Sequence, residues 1–191
     1  TAFSGSSPIT HAFTATANDP ADLTTYNGVP FQGLAIGAAS GTRKVVAVFT
    51  NRSGSATTLS SCTIQGIAAT CTTLVNATNH VSIAVADVPT GTTADVFPTF
   101  SAAVLRCSVA VYSMEGAASN TPTATGSDTA DAYTYSLTCS AGSVVFAAAT
   151  DAENSSFTWT NLTERADSAY GADAQCYSHA SAEFAAAQSG T

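Results

Sequence analysis

Residues 80–114 read HVSIAVADVPTGTTADVFPTFSAAVLRCSVAVYSM, and this stretch decides the fold. Val81, Ile83 and Val85 alternate with Ser82, Ala84 and Ala86, the period of two of a strand buried on one face. Pro89, Thr90 and Gly91 then supply a turn, because proline presets φ and glycine accepts a positive one. A second strand over 93–100 carries Val96 near its centre and Phe100 at its end. Pro98 has no N–H for a ladder, which predicts a sheet edge or a bulge. The third strand, 104–114, sets Leu105, Cys107, Val109 and Val111 on one face and Arg106, Ser108, Ala110 and Tyr112 on the other. Three consecutive antiparallel strands form the expected core.

Outward from that core, strand-like runs recur with turn signals between them. Residues 10–17 alternate His11, Phe13 and Ala15 against Ala12, Thr14 and Thr16, and a polar loop follows over 18–30. Residues 31–36 and 44–50 (KVVAVFT) read as strands, with a turn over 51–57. Residues 59–64 and 67–74 read as a hairpin around Gln65-Gly66. Residues 115–132 (EGAASNTPTATGSDTADA) are the most loop-like segment and are expected to be exposed and mobile. Strands resume over 133–139, 142–150, 157–160, 163–166 and 173–184. Residues 180–187 have good helix propensity, yet CYSHASAEF alternates and nothing nearby caps a helix, so a strand is expected. About nine to twelve short strands without a convincing helix predict one all-β domain over 1–191, an antiparallel β-sandwich of jelly-roll type.

Composition excludes several function classes. Thirteen acidic residues against five basic ones give a net charge of −8, and charged residues make up only 9% of the chain. One lysine, Lys44, and four arginines cannot build a phosphate-tracking stripe, which argues against nucleic acid and against anionic membranes as partners. No apolar run is long enough to span a bilayer. The first residues, TAFSGSSPIT, have neither a basic nor an apolar leader region, so either a leader has been removed or the chain is made in the cytosol after an initiator Met, which the small first residue fits.

The five cysteines are Cys62, Cys71, Cys107, Cys139 and Cys176. An odd count leaves at least one thiol or an intermolecular bridge, and no spacing among them resembles a zinc site. Cys62 and Cys71 flank the expected hairpin, so either they form a disulfide across it or they are small buried hydrophobes; Cys107, on an apolar face, reads as the latter. Cys139 and Cys176 are left as free or intersubunit cysteines.

Few residues suggest chemistry. His11, His80 and His179 are far apart in sequence and read as packed or exposed single histidines. No GxSxG or comparable nucleophile turn accompanies the many serines and acids. Asp128 and Asp131 lack calcium-loop spacing and read as solvated loop acids. Tyr133 and Tyr135 are candidate glycan contacts, whereas Trp159 in FTWTNLTER reads as packing. Asn51, Asn76, Asn154 and Asn161 each begin an N-x-Ser/Thr triplet, and these are not read as glycosylated. No cofactor is expected.

The succession RKVVAVF, LSSCTIQGIAATC, IAVADVPTGTTADVFPTFS and RCSVAVYSMEG, followed by FTWTNLTERAD and AEFAAAQSG, resembles β-sandwich virion proteins of tailed phages and prophages of alphaproteobacteria. The resemblance covers most of the chain, and its motifs are structural. It implies a non-enzymatic component of the particle surface, either a capsid-decoration protein or a carbohydrate- or receptor-binding module of a head or tail fibre. It further implies other virion proteins as partners, the major capsid protein or tail and fibre proteins. A homo-oligomer is expected, with a trimer at a lattice symmetry point as one form, and the odd cysteine as a link to a neighbour. Compared with that group the chain is rich in cysteine, and one more strand would be expected after Gln188.

Overall fold

A computed structural model describes residues 1–5, 8–19, 31–75, 77–129, 136–153, 156–170 and 175–188. Its organising pair is β4 (Lys44–Ser53) and β10 (Val104–Glu115), antiparallel along nearly their whole length, with Phe49 opposite Val109 and Ala47 opposite Val111. β8 (Asn79–Asp87) and then β7 (Thr70–Val75) extend the sheet beside β4, and β2 (Thr10–Asp19) closes it beside β10. The order is β2-β10-β4-β8-β7.

Both faces of its three inner strands, β10, β4 and β8, are buried. Val45, Ala47, Phe49, Ala84, Ala86, Cys107, Val109 and Val111 point into one apolar cluster. Val46, Val48, Ile83, Val85, Ala110, Tyr112 and Met114 point into another. The one-sided burial expected for residues 80–87 is thereby corrected: the small Ala84 and Ala86 fill one layer while Ile83 and Val85 fill the other. An antiparallel sheet with a solvated face alternates apolar and polar residues. The unbroken run KVVAVF reflects two dry faces.

Each face carries a further antiparallel sheet. One has the order β3-β9-β5-β6, from β3 (Phe31–Ala35), β9 (Thr93–Phe100), β5 (Leu59–Ile64) and β6 (Ile67–Ala68). It contributes Phe31, Leu59, Cys62, Ile64, Ala94, Val96 and Phe100 to the first cluster, with Phe49 and Phe100 meeting edge to face at 6.3 Å. The other has the order β1-β11-β13-β12, from β1 (Ala2–Phe3), β11 (Ser143–Asp151), β13 (Cys176–Phe184) and β12 (Thr163–Ala169). It contributes Phe3, Val144 and Phe146 to the second cluster, with Phe146 and Tyr112 at 4.8 Å between ring centres. The result is the all-β antiparallel sandwich expected, built as three stacked layers. What the strand orders establish is this stack, and not a jelly-roll path.

Several local expectations change. Gln65 (φ 53°) and Gly66 (φ 75°) make the two-residue turn with two positive φ values that suits a twisted hairpin. The hairpin, however, ends after Ile67–Ala68, and the chain then crosses layers to become β7. Pro98 lies in an inner strand, in the half of β9 that pairs with β5 alone among the described residues, because the β3 pairing stops at Val96. Residues 157–160 form no strand; Trp159 instead donates its indole N–H to Ser178 Oγ at 2.7 Å. The expected mobile loop is pinned over part of its length, since Thr123 N donates to Ala2 O at 2.9 Å and Ala2 N to Ala124 O at 2.8 Å. The residue 133–139 strand is reduced, within the described residues, to a bridge between Cys139 and Gln188.

One end of the stack is tied by a buried guanidinium. Arg43, 1% exposed, donates from Nε to Val88 O (2.8 Å), from Nη1 to Gly37 O and Ala38 O (2.8 Å each), and from Nη2 to Thr90 O (2.7 Å). It joins the segment entering β4 to the turn leaving β8. Its planar fork satisfies carbonyls that neither strand can pair. Arg43→Ala strands these acceptors in a dry site and is expected to cost about 3 kcal/mol or more. At about 2–4 °C per kcal/mol for a chain of this size, the melting midpoint falls by roughly 10 °C. Arg43→Lys recovers less than half of that, because one ammonium cannot reach four carbonyls in a plane. A thermal melt of Arg43→Ala that superimposes on the parent rules out this role.

Candidate functional site

The structure assembles one constellation that the sequence did not announce. His11 on β2, Ser181 and Glu183 on β13, and Arg165 at the β12 bulge between Glu164 and Ala166 meet where the middle sheet passes the β13 layer. Glu183 Oε1 accepts from His11 Nδ1 at 3.0 Å and from the His11 backbone N–H at 2.8 Å. With Nδ1 protonated, Nε2 is an acceptor, and Ser181 Oγ lies 2.8 Å from it. Arg165 Nε donates to the same hydroxyl at 3.0 Å.

Carboxylate, imidazole and hydroxyl in this order are the components of an activated nucleophile. Their setting does not suit that chemistry. Ser181 has no exposed surface, and the His11 side chain is only 4% exposed, with its ring edge-on to Phe146 at 5.5 Å. Arg165 also occupies an oxygen that a nucleophile would need free. The cluster is a clasp between two layers. Burial lowers the His11 pKa, opposed by the hydrogen bond and charge of Glu183. For Glu183, burial works upward, but the His11 N–H donors and charge outweigh it and hold the carboxyl below its ordinary range. The partners lie 170 and 172 positions apart, which is why no local motif points to them.

The other histidines are buried in separate layers. His179 Nε2 is 3.1 Å from Ser108 Oγ, Ser108 Oγ is 2.6 Å from Thr50 Oγ1, and Tyr170 donates its hydroxyl to Thr50 Oγ1 at 2.5 Å. Each hydroxyl can pass its proton onward, from tyrosine to threonine to serine to a neutral imidazole. Burial pushes the His179 pKa down to about 3. His80 sits in the opposite layer, with Nδ1 at 2.9 Å from Thr57 Oγ1 and 3.3 Å from Asn51 Nδ2, and burial pushes it down to about 4. Both rings are fully covered packing groups. Among the described residues, no three His, Cys, Asp or Glu side chains converge on a metal-sized site.

All five cysteines are free thiols. Of the two readings open for Cys62 and Cys71, the bridge across a hairpin is not formed. Because the hairpin ends at Ala68, Cys62 stands on β5 of an outer sheet and Cys71 on β7 of the middle one, and both pack against the first apolar cluster. Burial raises the thiol pKa of Cys62, Cys71 and Cys107, which keeps all three neutral, with half-buried Cys71 the most accessible of them. Cys139 and Cys176, expected as free or intersubunit residues, are free but buried, at 7% and 1% exposure. Cys139 packs with Ala2 and Val145, and Cys176 donates to Glu153 O at 3.0 Å.

Tyr133, Tyr135, Asp131, Asn76 and Asn154 lie outside the described residues. Asp128 accepts from Thr129 N at 2.7 Å. Asn51 is fully buried in its strand, which bars a glycan there, while Asn161 is exposed at φ 64°. Comparisons with family models, curated proteins and solved structures return no match.

The two buried histidines set an acid limit. Their folded pKa values lie below the unfolded value near 6.5, so the unfolded chain binds more protons below that pH, and stability that is complete above pH 6.5 declines as the pH falls. Between pH 6 and 5 the two together remove about 3 kcal/mol per pH unit at most. In urea midpoints measured from pH 8 to 5, the fall due to these histidines is expected to be steepest below 6. A midpoint constant down to pH 5 excludes neutral burial of both rings. Thiol-reagent kinetics test the burial of the cysteines: half-buried Cys71 is expected to react first, and the other four only after denaturant is added.

Proposed function

We propose that this chain is a non-enzymatic structural protein of a phage virion, seated on the outer surface of the capsid as a decoration protein. The observation that carries this reading is the triple stack. Inner strands dry on both faces, packed into two apolar clusters and tied at one end by the four hydrogen bonds of Arg43, suit a component selected for rigidity rather than for a reactive cleft. The imidazoles are spent on internal hydrogen bonds, and the Ser181–His11–Glu183 relay is closed to substrate. The resemblance of the strand and turn motifs to virion proteins of tailed phages supports the same reading.

In this role the partners are other virion proteins, the major capsid protein first and tail or fibre proteins second. The chain forms a homo-oligomer, a trimer at a lattice symmetry point being the form that suits decoration. The net charge of −8 disfavours nucleic acid and anionic membrane as partners. The protein is made in the host cytoplasm and assembled on the particle surface. Contacts to the lattice run through loops and sheet edges, since four of the five cysteines are buried. A second reading, a carbohydrate- or receptor-binding module of a head or tail fibre, is favoured by an aromatic side chain standing in the open on an outer sheet, Phe97.

Quantitative mass spectrometry of purified particles tests the proposal. Copies in a fixed ratio to the major shell protein are expected. A handful per particle moves the chain to a tail or fibre, and complete absence from particles overturns the virion reading.

A further inference from the structure

The outward face of the β3-β9-β5-β6 sheet carries a small built patch. Along β9, Thr93, Asp95 and Phe97 are exposed while Ala94, Val96 and Pro98 are buried, so the first three share the outer face. Thr63 on β5 is the direct cross-strand partner of Phe97. Gln65 follows opposite Asp95, with its N–H donating to Asp95 O at 2.8 Å. Phe97 and Ile67 are the large apolar side chains left exposed among the described residues, at 40% and 39%. Ile67 pairs with Ile64 and so lies at the rim of the inner face. Phe97 alone of the two stands on the open face, among hydroxyl, amide and carboxylate groups.

Beside it the surface dips into a depression of about 290 Å³ lined by Gln65, Gly66, Thr93, Ala94 and Asp95. Two features hold its walls. Asp95 Oδ1 accepts from Gly33 N at 2.8 Å, which anchors the carboxylate and leaves Oδ2 without a partner among the described residues. Gly91 (φ 76°) lies against the Gln65 amide so closely that a Cβ there would sit 3.0 Å from Nε2. The glycine therefore keeps the turn beneath the amide clear as well as making it.

We propose that this patch binds a neutral sugar ring, a ligand that deepens the second of the two readings above. The electropositive C–H face of a pyranose suits the electron-rich face of Phe97. Its hydroxyls suit Asp95 as acceptor, Gln65 as donor and acceptor, and Thr63 and Thr93 as either. Alternate residues on one face of a strand stand about 6.5–7 Å apart, so Phe97 and Asp95 bracket one six-membered ring. Anionic ligands are disfavoured, since the patch holds a carboxylate and no cation on a chain of net charge −8. A single exposed aromatic and an open depression mean binding in the millimolar range, made useful by many copies on one particle.

The test is an amide chemical-shift titration of the whole chain with the methyl glycosides of glucose, galactose, mannose and N-acetylglucosamine, and with sialic acid as the anionic control. At least one neutral glycoside is expected to give saturable shifts at Thr63, Asp95 and Phe97, with none from sialic acid. Phe97→Ala, at an exposed site that leaves the fold intact, is expected to weaken binding by about tenfold or more, and Phe97→Trp to tighten it. Thermal melts of both variants confirm that the stack is unchanged. No glycoside moving these amides, or equal affinity in Phe97→Ala, overturns the proposal. So do shifts at the same residues that depend on protein concentration without sugar, since a second copy then occupies the patch. Titration and particle stoichiometry use different samples, so the failure of one reading leaves the other standing.

Discussion

Every other feature of this molecule answers to one constraint: β4 and β10 are dry on both sides. A strand pair with Val45, Ala47 and Phe49 in one layer and Val46 and Val48 in the next has no solvated face to relieve it. Two further sheets must therefore lie over it, each at about the 10 Å separation of packed sheets. That spacing is met by placing alanines, Ala47, Ala84, Ala86 and Ala110, opposite the larger phenylalanines and valines of the outer sheets. The alanine-rich composition and the low share of charge are consequences of having two interior layers in a chain of 191 residues.

Two dry layers also set the terms for every polar group caught inside them. Burying a hydroxyl or an imidazole unpaired costs on the order of 1–3 kcal/mol. Several of the interior groups are strung together, Tyr170 to Thr50 to Ser108 to His179 on one side and Thr57 and Asn51 to His80 on the other. Arg43 solves a related problem at the end of the stack, where chain segments leave the ladder with their carbonyls unpaired. The Glu183–His11–Ser181 clasp does the same between β2 and β13. A relay that would read as catalytic in a cleft is, between two sheets, a way of keeping polar groups satisfied. Geometry alone does not make an active site; access decides.

Period-two alternation made the strands legible in the sequence, down to β13, where CYSHASAEF overrode the helix propensity of its alanines. The Gln65-Gly66 turn was legible from the same local chemistry. The number of layers was not. Alternation reports that a strand has two faces, but a serine or alanine on the second face looks the same whether it meets water or a neighbouring sheet. Ser108 and Ala84 were ambiguous in this way, and burial resolved both. Of the two readings open for Cys62 and Cys71, the free thiols are the one seen, and they stand in adjacent sheets rather than across one hairpin. The clasp at His11 was invisible because its parts are separated by almost the whole chain.

The stack has unequal ends, and this bears on how such a protein meets its surroundings. The outer face of the β1-β11-β13-β12 sheet is covered by its own chain: Ala124, Leu137 and Leu162 pack over Ala2, Cys139 and Val145, and Trp159 reaches Ser178. On the outer face of the β3-β9-β5-β6 sheet, no such cover is seen among the described residues, and β9 presents Thr93, Asp95 and Phe97. A sheet face capped by loops offers a surface that loop sequence can vary. A bare sheet face offers a fixed grid of side chains whose spacing is set by the strands, and strand β9 is held through Val96 and Phe100 to the same core as Phe49. Ligand contacts built on that grid need no ordering on binding, which is the condition under which a small patch with one aromatic can bind at all. The rigidity that two dry layers impose on the centre of the molecule is thus passed outward to the face that β9 presents.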